Sequence, residues 1–440
     1  MSFLEQLRES RQSGRAQFSK GRRVAKPRKP GRKPGEGRFE RRREPQATEH
    51  DLVTRTEVRL DSEQRQCRKC GGRLKLRREL ATTVDVPPKP IRMIRVFEVE
   101  LGECSCCGER VRARHPELRP AQNGANAHQV GPNVLAQGLA LHYHRGLPLR
   151  KVPGALEDLT GIRVTQSALT QAANKLCRSG GLLDAHYDAL RREVASSPVV
   201  NTDDTGWRIN ATLAFVMGFF TNNVAYYQIR DRHRHQEVLE VLGEDYDGLL
   251  GTDRGTGYEA RAMNRMAMQK CLSHVLKNLS EVEAKKRGRA KHWIAALKRT
   301  LREGLDLWKD WNSGKIETEA YLERGRRIEE TLRGQLRDRQ LKDADNQRIL
   351  DGLGIQMDRG RLTLFLSRPE IEPTNNRAEL GLRPAVIARK ISHCSKNKRG
   401  AHTYSVMKTI FSTLSLRTSN VVPAFAQLLQ GSNLPRPSPG

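Results

Sequence analysis

Asn201-Thr202-Asp203-Asp204-Thr205-Gly206-Trp207 sets two carboxylates at the end of an apolar run that begins at Ser197, where a buried strand has no structural need of charge. Another acid, Asp253, follows the short run Gly248-Leu249-Leu250-Gly251-Thr252. A further one stands in Pro373-Thr374-Asn375-Asn376-Arg377-Ala378-Glu379-Leu380-Gly381-Leu382-Arg383-Pro384. Pro384 predicts a helix stop near Arg383, which sets Asn375, Glu379 and Arg383 at i, i+4 and i+8 on one face. That stripe offers a carboxylate flanked by an amide donor and a guanidinium suited to phosphate. Gathered carboxylates can hold Mg²⁺, which takes a few of them and keeps water and phosphate as its other ligands. Two such ions serve phosphodiester cleavage and strand transfer, one activating the attacking oxygen and the other stabilising the leaving one. Singly, each acid has a plainer reading, as a loop carboxylate or as a surface Glu-to-Arg pair at helical spacing.

The elements that must carry these acids are legible in outline. Ser197 to Asp203 reads as a buried strand, and Thr212 to Phe220 with Val224 to Arg230 reads as a hairpin around Thr221-Asn222-Asn223. A helix around His235 to Leu242, a strand at Gly248 to Asp253 and a long helical region from about 260 to 350 follow. Strand, hairpin, helix, strand, with acids closing the first and the last, predicts an α/β nuclease-like core. The polar segment 281–350 carries Lys285-Lys286-Arg287-Gly288-Arg289 and three of the four tryptophans, Trp293, Trp308 and Trp311. It reads as a helical insertion whose basic face meets either DNA or solvent.

Upstream, residues 122–195 are helical by spacing, with Leu135, Leu139 and His142 on one face. Val152 to Leu159, the turn Thr160-Gly161-Ile162 and a segment from Thr165 outline a helix-turn-helix. Gln166, Ser167, Thr170, Gln171 and Asn174 would then face a groove. The same outline fits an ordinary helical hairpin, which is the preferred reading. Two knuckles, Cys67-x-x-Cys70-Gly71-Gly72 and Cys104-x-x-Cys107-Gly108, supply four thiolates for a structural Zn²⁺, with short β-like runs between them. Cys106 reads as a bystander.

Lysine and arginine number 79 against 50 aspartates and glutamates, a formal charge of +29, and the pI is about 10.3. Such a surplus points to a polyanion, since each phosphate neutralised releases counterions. The first 50 residues are rich in Arg, Lys, Gly and Pro, with too little apolar surface to offset chain entropy. They predict a disordered basic arm, whose Pro27-Arg28-Lys29-Pro30 and Gly31-Arg32-Lys33-Pro34 suit either a minor groove or solvent. No apolar run approaches the ~20 residues of a membrane span, and no apolar stretch marks a signal peptide. A cytoplasmic, nucleoid-associated protein without membrane contact is expected.

At these residues the chain resembles transposases of the insertion sequence 66 family, over about residues 20–415. The resemblance rests on the Arg-Lys-Pro arm, the Cys67 knuckle, Asp203-Asp204-Thr205, Thr252-Asp253 with Gly257-Tyr258, and Cys271-x-x-His274. Its most specific part is Glu372-Pro373-Thr374-Asn375-Asn376-Arg377-Ala378-Glu379 running into Leu382-Arg383-Pro384. It implies an RNase H-like mixed sheet with a helical insertion and an active site of Asp203, Asp253 and Glu379 holding two Mg²⁺ or Mn²⁺ ions. Asp204, His274, Asn375, Asn376 and Arg383 are expected in support. Cys271 and His274, as a zinc pair, would lack two obvious partners, so a structural or DNA-positioning role is expected for them. The chain departs from the family in having Asp204 where a glutamate is common and in showing no coiled coil in its arm.

The expected organisation is a basic arm (1–54), a zinc-binding β module (55–118) and a helical, helix-turn-helix-like domain (119–196). A catalytic core (197–415) with its insertion at about 265–355, then a C-terminal helix and tail (416–440), complete it. Expected partners are double-stranded DNA, as element terminal repeats and target, a homo-oligomer on that DNA, and companion transposition proteins. Two rivals stand beside a transposase: a non-catalytic zinc and helix-turn-helix regulator, and an RNase H-like nuclease without strand transfer.

Overall fold

Alternating apolar residues build a five-stranded sheet from β3 (Val199–Ile209), β4 (Thr212–Phe220), β5 (Ala225–Arg230), β6 (Leu249–Thr252) and β7 (Ala267–Lys270). In this computed structural model the described residues are 94, 98, 100–112, 130–337, 340–392 and 394–436. The chain divides into two units, Met1–Pro88 and Lys89–Gly440, and every described residue belongs to the second. The expected basic arm, Cys67 and Cys70 lie outside the described residues. The short strands β1 (Leu101–Glu103) and β2 (Arg110–Arg112) pair antiparallel around the Cys104–Cys107 turn.

The sheet order is β5-β4-β3-β6-β7. β3, β4 and β5 form an antiparallel meander, while β6 and β7 run parallel to β3. β3 does not end at Asp203; it continues to Ile209, because β4 pairs with it through Ile209↔Thr212 long after β6 has stopped at Asn201↔Gly251. The region read as helical from about 260 opens instead with two short 3-10 turns and the strand β7. β7 has four residues and no β-branched side chain, so its tertiary pairing with β6 outweighs weak local propensity.

Helices cover both faces. On one, α1 (Pro132–Tyr143), α2 (Val152–Thr160), α3 (Gln166–Cys177), α4 (Asp184–Ala195) and α5 (His235–Leu242) share a core with Val200, Met217, Phe219, Leu250 and Met268. On the other, α11 (Asn376–Ser392) lays Ala378, Leu382 and Ala385 against Trp207, Ala214, Val216 and Phe220. Beside it a second core joins Leu249 to α6 (Leu272–Glu283), α7 (Gly288–Asn312), α8 (Thr318–Leu336), α9 (Ala344–Asp358) and α10 (Leu364–Ser367). The insertion tryptophans serve this core: Trp308 Nε1 donates to Pro369 O at 2.9 Å and Trp311 Nε1 to Thr318 Oγ1 at 3.1 Å. Lys286 of the basic run is held by Asp343 and Asp345 at 2.8 and 2.7 Å.

α12 (Lys398–Arg417) is buried along most of its length and closes the β5 edge of the sheet. The edge amides of Ala225 and Tyr227 donate to Thr413 Oγ1 and Thr409 Oγ1, at 3.2 and 2.9 Å, so the open strand is satisfied by side chains. α13 (Val421–Leu429) packs Phe425 on Phe411 of α12, ring centroids 4.4 Å apart. α2 and α3 meet at Gly161, which takes φ 65° at the helix end, and Thr165 caps α3 by accepting from Ala168 N at 3.1 Å. Asn174 accepts from Thr403 of α12 at 2.8 Å, so that side chain is directed to the core helix, whereas Gln166, Ser167 and Gln171 are exposed.

The predicted stop at Pro384 is also overturned, because α11 runs through the proline to Ser392. A proline at this position removes one backbone hydrogen bond and crowds the preceding turn, at a cost of about 3 kcal/mol. Compensation comes from neighbours: Tyr227 Oη donates to Gly381 O at 2.7 Å, and Arg389 beyond the proline donates to Gly206 O. Gly381 also permits the close approach of α11 to the sheet. A Cβ there would lie 2.2 Å from the Phe220 ring, whose residue is buried and packed edge-on to Tyr227. Gly381→Ala should therefore destabilise the protein by about 2–3 kcal/mol, read as a lower urea midpoint; an unchanged midpoint would contradict this packing.

Candidate active site

Strand register brings Asp203 and Asp253 near each other. β3 and β6 are parallel with Asn201 opposite Gly251 as their last pair, so Asp203 and Asp253 each follow that pair by two residues, and Asp253 is the nearby charge that acts most on Asp203. The side-chain period of two also separates the adjacent acids of β3. Asp203 shares a face with Asn201 and Trp207, the face covered by α11, whereas Asp204 points to the opposite one. There Asp204 Oδ2 lies 3.1 Å from His233 Nδ1, and His233 stacks on Phe215 with centroids 3.8 Å apart.

Glu379 is delivered by the first turn of α11, and Asn375 anchors that turn. Asn375 Nδ2 donates to Thr202 O at 2.9 Å, and Asn201 Nδ2 donates to Asn375 Oδ1 at 3.2 Å. The Asn375 N–H donates to Cys271 Sγ at 3.2 Å, and its carbonyl accepts from Glu379 N at 3.1 Å. Leu272 N donates to Pro373 O at 2.9 Å, and Cys271 N to Thr252 O at 2.9 Å, tying the same segment to the end of β6. Asn201 and Asn375 are each 1% exposed, so this polar clamp is sealed from water. Glu379 itself is exposed, as are Asn376 and Arg383 one turn to either side of it.

The electrostatics match the geometry. The Asp203 carboxyl is pushed up to about 7, first by burial and then by the charge of Asp253, with Asp204 and Glu379 adding to it. A hydrogen bond from Asp204 N to Asp203 Oδ1, at 2.9 Å, opposes the rise. Burial also raises Asp204, against the pull of His233. Tyr258, fully buried behind the acids, reaches Thr202 Oγ1 at 3.5 Å, and its phenol is held neutral by burial. Asp253 Oδ1 accepts from Gly255 N at 2.7 Å, which bends the chain into the turn bearing Tyr258.

Such crowding has a consequence for stability. The folded protein holds the Asp203 proton more tightly than an unfolded chain, whose aspartate titrates near 3.8. The protonated carboxyl therefore favours folding below about 3.8, and that contribution is lost as pH rises towards 7. Without divalent ions, the stability of the wild type relative to Asp203→Asn should fall between those pH values; a constant difference in melting temperature would contradict it. Adding Mg²⁺ at neutral pH should recover the loss, since a bound cation replaces the proton.

Cys271 and His274 acquire a partner the sequence did not disclose. Their ligand atoms and a Glu379 oxygen all lie within 4.8 Å of one another, with His274 Nε2 3.8 Å from Glu379 Oε1. Among the described residues this is the one such group of three. The Cys271 thiol is pushed up by burial and already accepts the Asn375 amide, so it acts as a structural acceptor in the clamp. Asp203, Asp253 and Glu379 do not come together within that distance; as carboxylates they are the harder donors, which suits Mg²⁺ or Mn²⁺.

Further polar residues near the site were not apparent from sequence. Glu259, in the turn after Asp253, lies 2.9 Å from Lys270 Nζ, 2.7 Å from Arg359 and 3.3 Å from Arg361. Lys270 and Arg361 are almost completely buried, and a cation over the Tyr258 ring, 5.3 Å from its centroid, links this cluster to the acids. In the sequence only Glu259, directly after Gly257-Tyr258, could have hinted at it. Of the expected zinc ligands, Cys104 and Cys107 stand in one turn with Gly108 at φ 72° and Gly108 N donating to Cys104 O at 2.9 Å.

A mixed sheet with Asp203 and Asp253 near the end of its central parallel pair, beside the clamped helix that bears Glu379, is an α/β architecture with a candidate acidic site. Residues 127–403 match the Transposase IS66 family, and the chain belongs to that family. No curated protein matches the chain. No helix among the described residues is long and apolar enough to cross a membrane.

Proposed function

We propose that this transposase cleaves DNA strands at the ends of its element and joins them to a target, with Asp203, Asp253 and Glu379 as the catalytic acids. The observation that carries the reading is the buried carboxyl of Asp203, on which the charges of Asp253, Asp204 and Glu379 all act. Strand order β5-β4-β3-β6-β7, antiparallel then parallel, supports an RNase H-like core. Membership of the family supports DNA as the substrate.

Asp203, Asp253 and Glu379 would hold Mg²⁺ or Mn²⁺, which when bound supplies activation of the attacking oxygen and stabilisation of the leaving one. The protein's own residues do the positioning. Register fixes the two aspartates, Asn375 fixes the helix that bears Glu379, and exposed Asn376 and Arg383 flank that glutamate where a phosphate would lie. His274 orients Glu379, and Asp204, turned away and paired with His233, holds β3 from behind. Cys104 and Cys107, brought together in one turn, would supply thiolates to a structural Zn²⁺. The basic arm, the zinc module and the insertion would bind terminal repeats and target, an oligomer would hold two ends together, and companion proteins would assist.

The test is incubation of the purified protein with labelled DNA of its element's ends and a supercoiled target, with Mg²⁺ and with EDTA. Metal-dependent nicks at the ends followed by joined products are expected. Cutting without joining would instead favour the nuclease, and specific binding without cutting under any divalent ion would favour the regulator.

A further inference from the structure

Further along α11 from Glu379, the protein carries a cavity of about 240 Å³ that the proposed chemistry does not use. Its walls include Tyr143 of α1, Trp207 of β3 and Tyr404 of α12, with the Trp207 and Tyr404 rings 4.9 Å apart. At the same cavity lies Lys408, which is 4% exposed. Its ammonium has no hydrogen bond or ion pair among the described residues; it lies 5.9 Å from the centroid of the Tyr227 ring, and its charge acts on His144 at the same cavity. A buried lysine without a partner is costly, since an ammonium leaves water only at a price that pairing normally offsets. Burial lowers this one to about 8. Its donors thus stand at a cavity walled by aromatic rings, with no hydrogen bond to the described residues.

The mouth of the cavity has a different character. Arg145 and Arg383 line it, and Leu380 and Ile387 of α11 are 64% and 46% exposed beside it. Arg383 is one helical turn, about 6 Å of rise, from Glu379. A DNA strand lying across Glu379 therefore passes this opening.

We infer that the cavity receives one unstacked base of the element-end DNA, its acceptor atoms meeting Lys408 and its flanking phosphates meeting Arg145 and Arg383. The inference rests on the transposase reading and deepens it. An aromatic-walled slot with an acceptor-seeking donor suits a base, whose flat faces stack and whose edge carries carbonyl or ring-nitrogen acceptors. An apolar side chain from another protein would fill the walls but leave the ammonium unpaired.

The experiment uses end DNA carrying 5-iodouracil at single positions around the cleavage site, photocrosslinked to the full-length protein and mapped by mass spectrometry. A crosslink to Tyr143, Trp207 or Tyr404 is expected from one position. Lys408→Met should lower its yield at least about fivefold relative to crosslinks at the other positions, because a lost base-edge hydrogen bond acts at that position alone. Mapping in the wild type is decisive even if the variant folds poorly. DNA that binds and is nicked, yet crosslinks only to other surfaces, as expected if the cavity holds another chain's side chain, overturns the inference and spares the transposase reading. Equal yield in a well-folded Lys408→Met protein also overturns it. Failure to bind end DNA at all removes both.

Discussion

Asp203→Asn is expected to lower metal-dependent cleavage of element-end DNA by at least about a thousandfold, while end-DNA binding stays within about twofold. The substitution keeps the shape of the side chain and removes one charge from the place where Asp253, Asp204 and Glu379 already converge. A hard cation is lost with the charge, because an amide is a poor replacement for a carboxylate. The fold should not suffer: the carboxyl that is removed is one that burial and three neighbouring acids disfavour, so at neutral pH the metal-free variant should melt no lower than the wild type. Rate and melting temperature thus move independently, which separates loss of chemistry from loss of structure. Asp253→Asn should behave alike in rate, since Asp253 is the nearby charge that acts most on Asp203. Retained cleavage in either variant would count against the assignment.

Asn375→Ala is expected to cost about 2–3 kcal/mol of stability and to slow cleavage about a hundredfold. Both effects have one origin. The side chain donates to Thr202 O and accepts from Asn201 Nδ2, and its removal leaves the Asn201 amide buried without its acceptor. The same bonds set where α11 begins, so Glu379, one turn on, loses its fixed distance from β3. Leu382 and Ala385 remain packed, so α11 should persist while its first turn loosens. Denaturation midpoints and single-turnover cleavage rates check the pair; a full loss of stability with an unchanged rate per folded molecule would contradict the positioning role.

The strands and the acids were legible where local pattern and tertiary need agree. β4 and β5 are rich in aromatic and aliphatic residues around a turn, and the sheet uses them as expected. β7 was not legible, since Ala267-Met268-Gln269-Lys270 has neither length nor β-branching and exists through its pairing with β6. Pro384 misled for a different reason: proline predicts a stop from backbone chemistry, but Tyr227 and Arg389 supply contacts from distant parts of the chain that let the helix continue. The choice between Asp203 and Asp204 needs the strand to extend past both, because only then does alternation assign them to opposite faces. Asn375 was visible as a polar neighbour of Glu379, yet its bonds to residues more than 170 positions away, Asn201 and Thr202, are not a sequence property. His233 and Lys408 belong to the same class, as single residues in unremarkable segments whose meaning comes from what folds around them.

The most direct measurement is calorimetric titration of Mn²⁺ into the purified wild type and into Asp203→Asn, Asp253→Asn and Glu379→Gln, at pH 7 and at pH 5. The expected result is Mn²⁺ binding in the wild type that weakens at pH 5, where Asp203 holds its proton, and that each of the three substitutions weakens at least about tenfold. Mn²⁺ bound with equal affinity by the wild type and all three variants would contradict a shared metal site at these acids.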